Sequence, residues 1–233
     1  MKFPEYINNF IKDYSDINRK SERIFGIDSK LKEQKEDAKN KKRILLLVTG
    51  LSGAGKDTIV RGLLEKDRRF GRIKTCTTRS RRPGETEEND TYIRLTKEEF
   101  QKAQKEGDVF ESVEYAGNYY CSLSSVFKKA FKDHEIPLLQ VDPKGSSFYI
   151  DSWRKNEEIF EDINLIFVFI VPPTLDTLKE RLFERSGDMS FVEKRLEQTK
   201  LDLPFLSEAE YIVINQTGAQ EKVVEELLEL FPA

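Results

Sequence analysis

The stretch Thr49-Gly50-Leu51-Ser52-Gly53-Ala54-Gly55-Lys56-Asp57-Thr58 places four residues between two glycines, with a lysine directly after the second. An apolar run, Ile44–Val48, precedes it, and a helical pattern over Lys56–Lys66 follows. Glycines at this spacing let the backbone curl with its amide hydrogens inward, beside the positive end of the helix. Lys56 adds a compact positive charge. The chemistry expected is a grip on ATP or GTP phosphates by Gly50, Ser52, Gly53, Ala54, Gly55, Lys56, Asp57 and Thr58. Asp57 stands where this pattern takes a hydroxyl that ligates magnesium. A carboxylate can also ligate magnesium, although it puts a negative charge beside the triphosphate. The alternative is that Asp57 only starts the helix or pairs with a nearby cation.

A second constellation follows. Thr75-Cys76-Thr77-Thr78-Arg79-Ser80-Arg81-Arg82-Pro83-Gly84-Glu85 has three arginines in four residues, flanked by hydroxyls and a Pro-Gly turn. Arginine forks match phosphate oxygens, so this reads as an anion site in preference to a solvated charge run. Beyond it stand Tyr92, Glu111 and Gly117-Asn118-Tyr119-Tyr120-Cys121-Ser122. Further on, Arg181 and Arg185 share a helix face, and Arg195 sits on the next helix. For Arg181 the competing reading is an ion pair with Glu184. The single histidine, His134, lies in a polar stretch and reads as exposed. Cys76 and Cys121 have no apparent base partner and read as small packing residues.

From the arginine segment through Gly-Asn-Tyr-Tyr, the chain resembles the guanylate kinase family. The likeness runs from about Arg43 to Phe231 and includes the phosphate loop, the Pro172-Pro173 turn and the arginine-bearing helices. It implies that Arg79, Arg82, Tyr92 and Tyr120 hold the phosphate of a GMP acceptor. It implies that Glu111 accepts hydrogen bonds from guanine's N1–H and exocyclic amine, helped by Thr75 and Ser122. Lys56, Arg82, Arg185 and Arg195 would act on the transferring phosphoryl group, with Arg181 on the ATP side. The chain departs from that family at Gln140-Val141-Asp142-Pro143-Lys144-Gly145. Gln140 replaces the first of two usual acids, and Lys144 replaces a glutamine. Asp142 then remains, with Asp57, as a magnesium-site candidate, and the gain of Asp57 reads as a compensating exchange for the acid lost at position 140. The activity implied is ATP-dependent phosphorylation of GMP, and of dGMP, with Mg2+, within purine nucleotide metabolism. Two alternatives stay open: a sugar-phosphate kinase of the ribose bisphosphate phosphokinase type, which needs no guanine reader, and a non-catalytic interaction module of the same fold.

These residues need a scaffold. Fully apolar runs at Ile44–Val48, Leu165–Val171 and Tyr211–Ile214, and the run Pro137–Val141 interrupted only by Gln140, read as strands of a parallel sheet covered on both faces. Further strand-like runs are Ile73–Thr77, Tyr92–Leu95 and Val109–Tyr115. Helical patterns cover Thr96–Lys105, Leu123–Lys132, Leu175–Arg185, Phe191–Leu201 and Glu221–Leu230. The expected fold is α/β, a three-layer phosphate-loop architecture. It comprises a central parallel sheet and, as the resemblance implies, a mixed-β acceptor-binding insertion at about 77–125 and a helical lid at about 183–193, all within residues 43–233.

Residues 1–42 read as an extension. Phe3, Tyr6, Ile7, Phe10, Ile11, Tyr14 and Ile17 recur at helical spacing and form a candidate subunit contact, in a monomer or homodimer. Asp28–Arg43 carries 11 charges in 16 residues and has no core-forming face. Residues 1–43 balance at +4 and the remainder at −7, for a net charge of −3. Such a balance argues against wholesale nucleic-acid coating. Two cysteines and one histidine exclude a disulfide framework and a multi-histidine metal site. The longest apolar run, Leu165–Val171, is far short of a membrane span. The expectation is a soluble, cytoplasmic enzyme with ATP and GMP as its partners and no membrane contact.

Overall fold

The computed structural model describes residues 43–81, 85–88 and 90–232. The amphipathic N-terminal segment, the charged stretch before Arg43 and the candidate residue Arg82 lie outside these.

Five parallel strands form the central sheet: β1 (Arg43–Gly50), β2 (Phe70–Ile73), β7 (Ile136–Gln140), β8 (Ile163–Val171) and β9 (Tyr211–Ile214), in the order β2-β7-β1-β8-β9. Strand β1 is central, paired with β7 and β8, and its Leu45, Leu46 and Leu47 are fully buried. Burial on both faces is why β1 and β8 carry long continuous apolar runs instead of alternating. The chain leaves β1 with neighbours inserted on both sides, so a crevice opens beyond the carboxyl ends of the strands. The phosphate loop occupies that crevice.

The helices α1 (Lys56–Lys66), α3 (Ser124–Asp133), α4 (Pro143–Arg154), α5 (Leu175–Ser186), α6 (Met189–Asp202) and α7 (Gln220–Leu228) contribute buried side chains to the core around this sheet. Helix α4 is absent from the sequence expectation because Gly145 and two serines weaken its first turns. It forms because Asp142 caps it, accepting a hydrogen bond from the Gly145 amide at 2.8 Å, and Pro143 sits in the first turn. Burial of Tyr149 and Ile150 then holds it in place.

The run expected as one strand, Ile73–Thr77, is two. Ile73 ends β2 in the central sheet, and Thr75–Thr77 forms β3 in a second sheet. That sheet joins β4 (Tyr92–Arg94), β3, β6 (Asn118–Leu123) and β5 (Val109–Tyr115), in the order β4-β3-β6-β5. It is mixed: β3 pairs with β4 in parallel, while β3–β6 and β5–β6 are antiparallel. Helix α2 (Lys97–Lys105), closed by a capping box between Thr96 and Glu99, buries Phe100 against one face of this sheet, beside Cys76 and Cys121. Helices α5 and α6 meet at a sharp turn in which Gly187 is left-handed and the Asp188 side chain accepts from the Ser190 amide. Among the described residues no helix is long and apolar enough to cross a membrane.

Candidate active site

The phosphate loop is shaped by contacts that only glycine permits at two of its positions. Gly50 has φ +148°, and a Cβ there would lie 2.1 Å from the Ile170 carbonyl oxygen of β8. Gly55 has φ +87° and caps α1, and a Cβ there would lie 2.3 Å from Asn215 Nδ2. Asn215 is buried just after β9 and donates from Nδ2 to the Ala54 carbonyl at 2.8 Å. Arg181 braces the same place, donating to Ala54 O, Asn215 O and Thr217 Oγ1. Its hydrogen bonds therefore tie the loop to the end of β9 and do not go to Glu184. Asn215 carried no sequence signal, since nothing local marks a residue 161 positions from its partner.

Lys56 Nζ donates to the Gly50 and Leu51 carbonyls at 2.7 and 3.0 Å. Burial lowers its pKa to about 8, against the opposing pull of Asp57, Asp202 and Asp142. Arg185 adds to the lowering by its positive charge and so faces the same centre. Arg195 lies over the Phe191 ring at 5.2 Å and is felt by Asp202. Among the described residues, no hydrogen bond or ion pair holds the guanidinium of Arg185 or Arg195, which leaves both available to an anion. Asp202, buried at the end of α6, is a site carboxylate that the sequence reading missed; its pKa is raised by burial first and by Asp142. Asp57 and Thr58 are exposed in the first turn of α1, and Ser52 is half-buried in the loop. Asp57 Oδ1 accepts from Gln140 Nε2 at 2.8 Å, while Gln140 Oε1 is buried with no partner. Thus Asp57, the departure from the phosphate-loop pattern, touches Gln140, a departure from the family pattern at the end of β7.

The acceptor candidates are gathered by strand alternation. Cross-strand partners share a face of a sheet. Thr75 pairs with Tyr92, Thr77 with Tyr120 and Glu111 with Ser122, so all six project from one face, while Cys76, Tyr119 and Cys121 point to the face packed on Phe100. Ser122, opposite Glu111 across the ladder, favours the ionised carboxylate. Glu111 is half-buried, and its pKa is raised to about 7 by burial first and then by Asp142. The rings of Tyr92 and Tyr120 meet edge to face, 6.0 Å apart.

The arginines beside them are neutralised more fully than the sequence suggests. Arg79 pairs with Glu85 at 2.9 Å, Arg81 with Asp90 at 3.0 Å, and Arg94 with both acids. Asp90 is held far below the usual carboxylate range, chiefly by hydrogen bonds from Arg94. Arg94, which no motif marks, thereby organises the segment; it also donates to the Arg79 carbonyl and lies over Tyr92. Arg79 Nε is buried without a partner among the described residues, so one donor of its guanidinium is unspent.

The guanylate kinase family model matches residues 41–232 of this chain. A guanylate kinase of Synechocystis sp. is 36% identical over 172 residues, covering 73% of this chain and 85% of the relative. The chain belongs to the guanylate kinase family. The guanylate kinase of Lactococcus lactis subsp. lactis is 31% identical over 173 residues, covering 74% of this chain and 80% of that one. Among solved structures, the guanylate kinase from Anaplasma phagocytophilum is similar in fold, with a TM-score of 0.56 at 22% identity. That likeness covers 81% of this chain and 83% of the other. The parallel sheet, the mixed sheet and the helices of the guanylate kinase fold are all present here.

Proposed function

We propose that this chain transfers the γ-phosphoryl group of ATP to GMP, and to dGMP, giving ADP and the nucleoside diphosphate. The observation that carries the reading is the shared face of the mixed sheet. It sets a carboxylate, Glu111, and a hydroxyl, Ser122, as cross-strand partners, with Thr75, Tyr92 and Tyr120 on the same side. A carboxylate pairs with two adjacent N–H donors, which guanine presents and adenine lacks on that edge. Arg79 and Tyr92, with Arg82 and Tyr120, would hold the acceptor's phosphate at the other end of this face.

In the reaction, an acceptor phosphate oxygen attacks the γ-phosphorus, and the bond between that phosphorus and the β–γ bridging oxygen breaks. The attacking oxygen is already ionised near neutral pH, so no side chain need remove a proton. Catalysis then rests on positioning and on neutralising charge over the transferring oxygens. Lys56 exchanges the Gly50 and Leu51 carbonyls for β- and γ-phosphate oxygens. Arg185 and Arg195, with Arg82, converge on the transferring group, and Arg181 keeps the phosphate loop in shape. The segment around Gly187, about 183–193, serves as a lid that excludes water.

The residues present fit a magnesium ion. Among the described residues no group of three or more His, Cys, Asp or Glu side chains could form a metal cage. Magnesium commonly needs only one or two carboxylates besides nucleotide and water. Asp57 and the partnerless oxygen of Gln140 are hard oxygen donors side by side, and Asp142 would orient the water shell. When bound, the ion neutralises charge on the β- and γ-phosphate oxygens.

Residues 43–233 would form the catalytic unit of a cytoplasmic enzyme, and residues 1–42 an appendage that contributes a subunit contact. A coupled assay of ADP release with GMP, dGMP, AMP and ribose bisphosphate as acceptors tests the reading. Turnover with GMP and dGMP is expected. Turnover with ribose bisphosphate alone would replace the reading with a sugar-phosphate kinase, and no turnover with any acceptor would favour an interaction module.

A further inference from the structure

Tyr149 is among the largest fully buried side chains of the protein, yet its hydroxyl does not face an apolar wall. It lies 2.5 Å from Ser122 Oγ, and that serine is itself only 5% exposed. Ser122 in turn is the cross-strand partner of Glu111, so the two side chains stand together on one face of the mixed sheet. We propose that Tyr149 is a positioning residue for base recognition, its phenol fixing the Ser122 hydroxyl and, through it, the Glu111 carboxylate. The proposal deepens the reading of Glu111 as the guanine reader and rests on it.

The direction of the chain follows from donor counting. A carboxylate only accepts, so a Ser122 hydroxyl that supports its cross-strand partner Glu111 must give that carboxylate its single hydrogen. The hydrogen between Ser122 and Tyr149 must then come from the phenol. Burial and the charge of Glu111 push the Tyr149 hydroxyl far above its ordinary range, so it stays a donor throughout the working pH range. The phenol has little freedom to leave. Its ring meets Phe110, Phe148 and Phe160 at near-perpendicular angles, with centroids 5.4 to 6.4 Å away. Helix α4 thus sets the rotor of a hydroxyl in the mixed sheet, and that hydroxyl sets which carboxylate oxygens remain free for guanine. The other titratable groups that interact with Glu111 are Asp142, before α4, and Cys121, on β6. Neither replaces the phenol as a donor to Ser122.

Tyr149→Phe keeps the ring and removes only the donor. The expected result is a rise of about 3–10-fold in KM for GMP, the worth of one neutral hydrogen bond. The expected kcat lies within twofold of wild type, with KM for ATP unchanged. The acid limb of kcat/KM for GMP should move to higher pH, because the ionised carboxylate loses support. Ser122→Ala leaves Tyr149 packed and should move that limb the same way. In the double variant the two effects should not add, because both remove one chain. A purely structural tyrosine would lower thermal stability and alter both substrates without shifting the pH limb; that outcome overturns the proposal. Additive effects would overturn it too. Wild-type discrimination between GMP and IMP, which lacks the exocyclic amine, separates the two levels. Poor discrimination in wild type sinks the Glu111 reading itself, whereas good discrimination with an unaltered Tyr149→Phe variant sinks only the role of Tyr149.

Discussion

Glu111 should impose an acid limb on GMP use that begins near neutrality. Burial and the nearby charge of Asp142 raise its pKa to about 7, and the Ser122 hydroxyl offsets only part of that rise. The two N–H donors of guanine need the ionised form, so protonation of the free enzyme blocks productive binding. With a pKa of 7, about one-eleventh of the sites are ionised at pH 6 and about ten-elevenths at pH 8. The expected kcat/KM for GMP therefore falls roughly tenfold between pH 8 and pH 6. GMP adds a limb of its own, because its phosphate titrates near pH ~6. The two are separated with Glu111→Gln, which keeps the substrate limb and loses the protein limb. That variant should also lose about 10–150-fold in kcat/KM for GMP, the equivalent of roughly 1.5–3 kcal/mol for a charge-assisted hydrogen bond. The assay is initial-rate kinetics at saturating ATP across pH 5.5–8.5. If wild type and Glu111→Gln show superimposable acid limbs, Glu111 does not titrate in the acceptor site and the reasoning fails.

Three further outcomes are expected. Lys56 has a pKa lowered to about 8, and ATP phosphates will raise it again, so binding takes up a proton above pH 8 and weakens as pH climbs; calorimetry in buffers of different ionisation enthalpy measures that uptake, and none at pH 9 would count against it. Asp57→Ser removes a carboxylate that repels metal-free triphosphate, at a cost of about 3 kcal/mol for like charges ~6 Å apart at an effective dielectric of ~20, before screening; the variant should bind ATP more tightly without magnesium and depend less on it, and identical magnesium dependence would reduce Asp57 to a helix-start residue. Gly55→Ala drives a Cβ to 2.3 Å from Asn215 Nδ2 in a left-handed backbone, so it should lower thermal stability by several degrees and weaken ATP binding, as read by calorimetric melting and titration.

The phosphate loop was legible because its chemistry is local: glycine spacing, Lys56, an apolar strand and a helix are contiguous in the chain. The face of the mixed sheet was legible only through resemblance, since nothing in the sequence pairs Glu111 with Ser122 until β5 and β6 are in register. Partners distant in sequence were invisible. Asn215, Asp202 and Tyr149 take their roles from long-range packing that no periodicity encodes, while Arg94 takes its role from the local loop that folds Glu85 and Asp90 onto it. Helix α4 was missed because its glycine and serines argue locally against helix, and tertiary burial overrides them. The split of Ile73–Thr77 was missed because a chain that crosses between sheets stays extended throughout. The arginine segment was only half legible: its type was right for an anion, but Glu85 and Asp90 already engage Arg79, Arg81 and Arg94.

Guanine reading by the mixed sheet is the central claim, and the ratio of kcat/KM for GMP to that for IMP tests it most directly. IMP keeps the phosphate, the ribose and the N1–H but lacks the exocyclic amine that Glu111 is expected to hold. Loss of one charge-assisted hydrogen bond predicts a ratio of about 10–150 in wild type, collapsing toward unity in Glu111→Gln. A wild-type ratio near one would contradict the account.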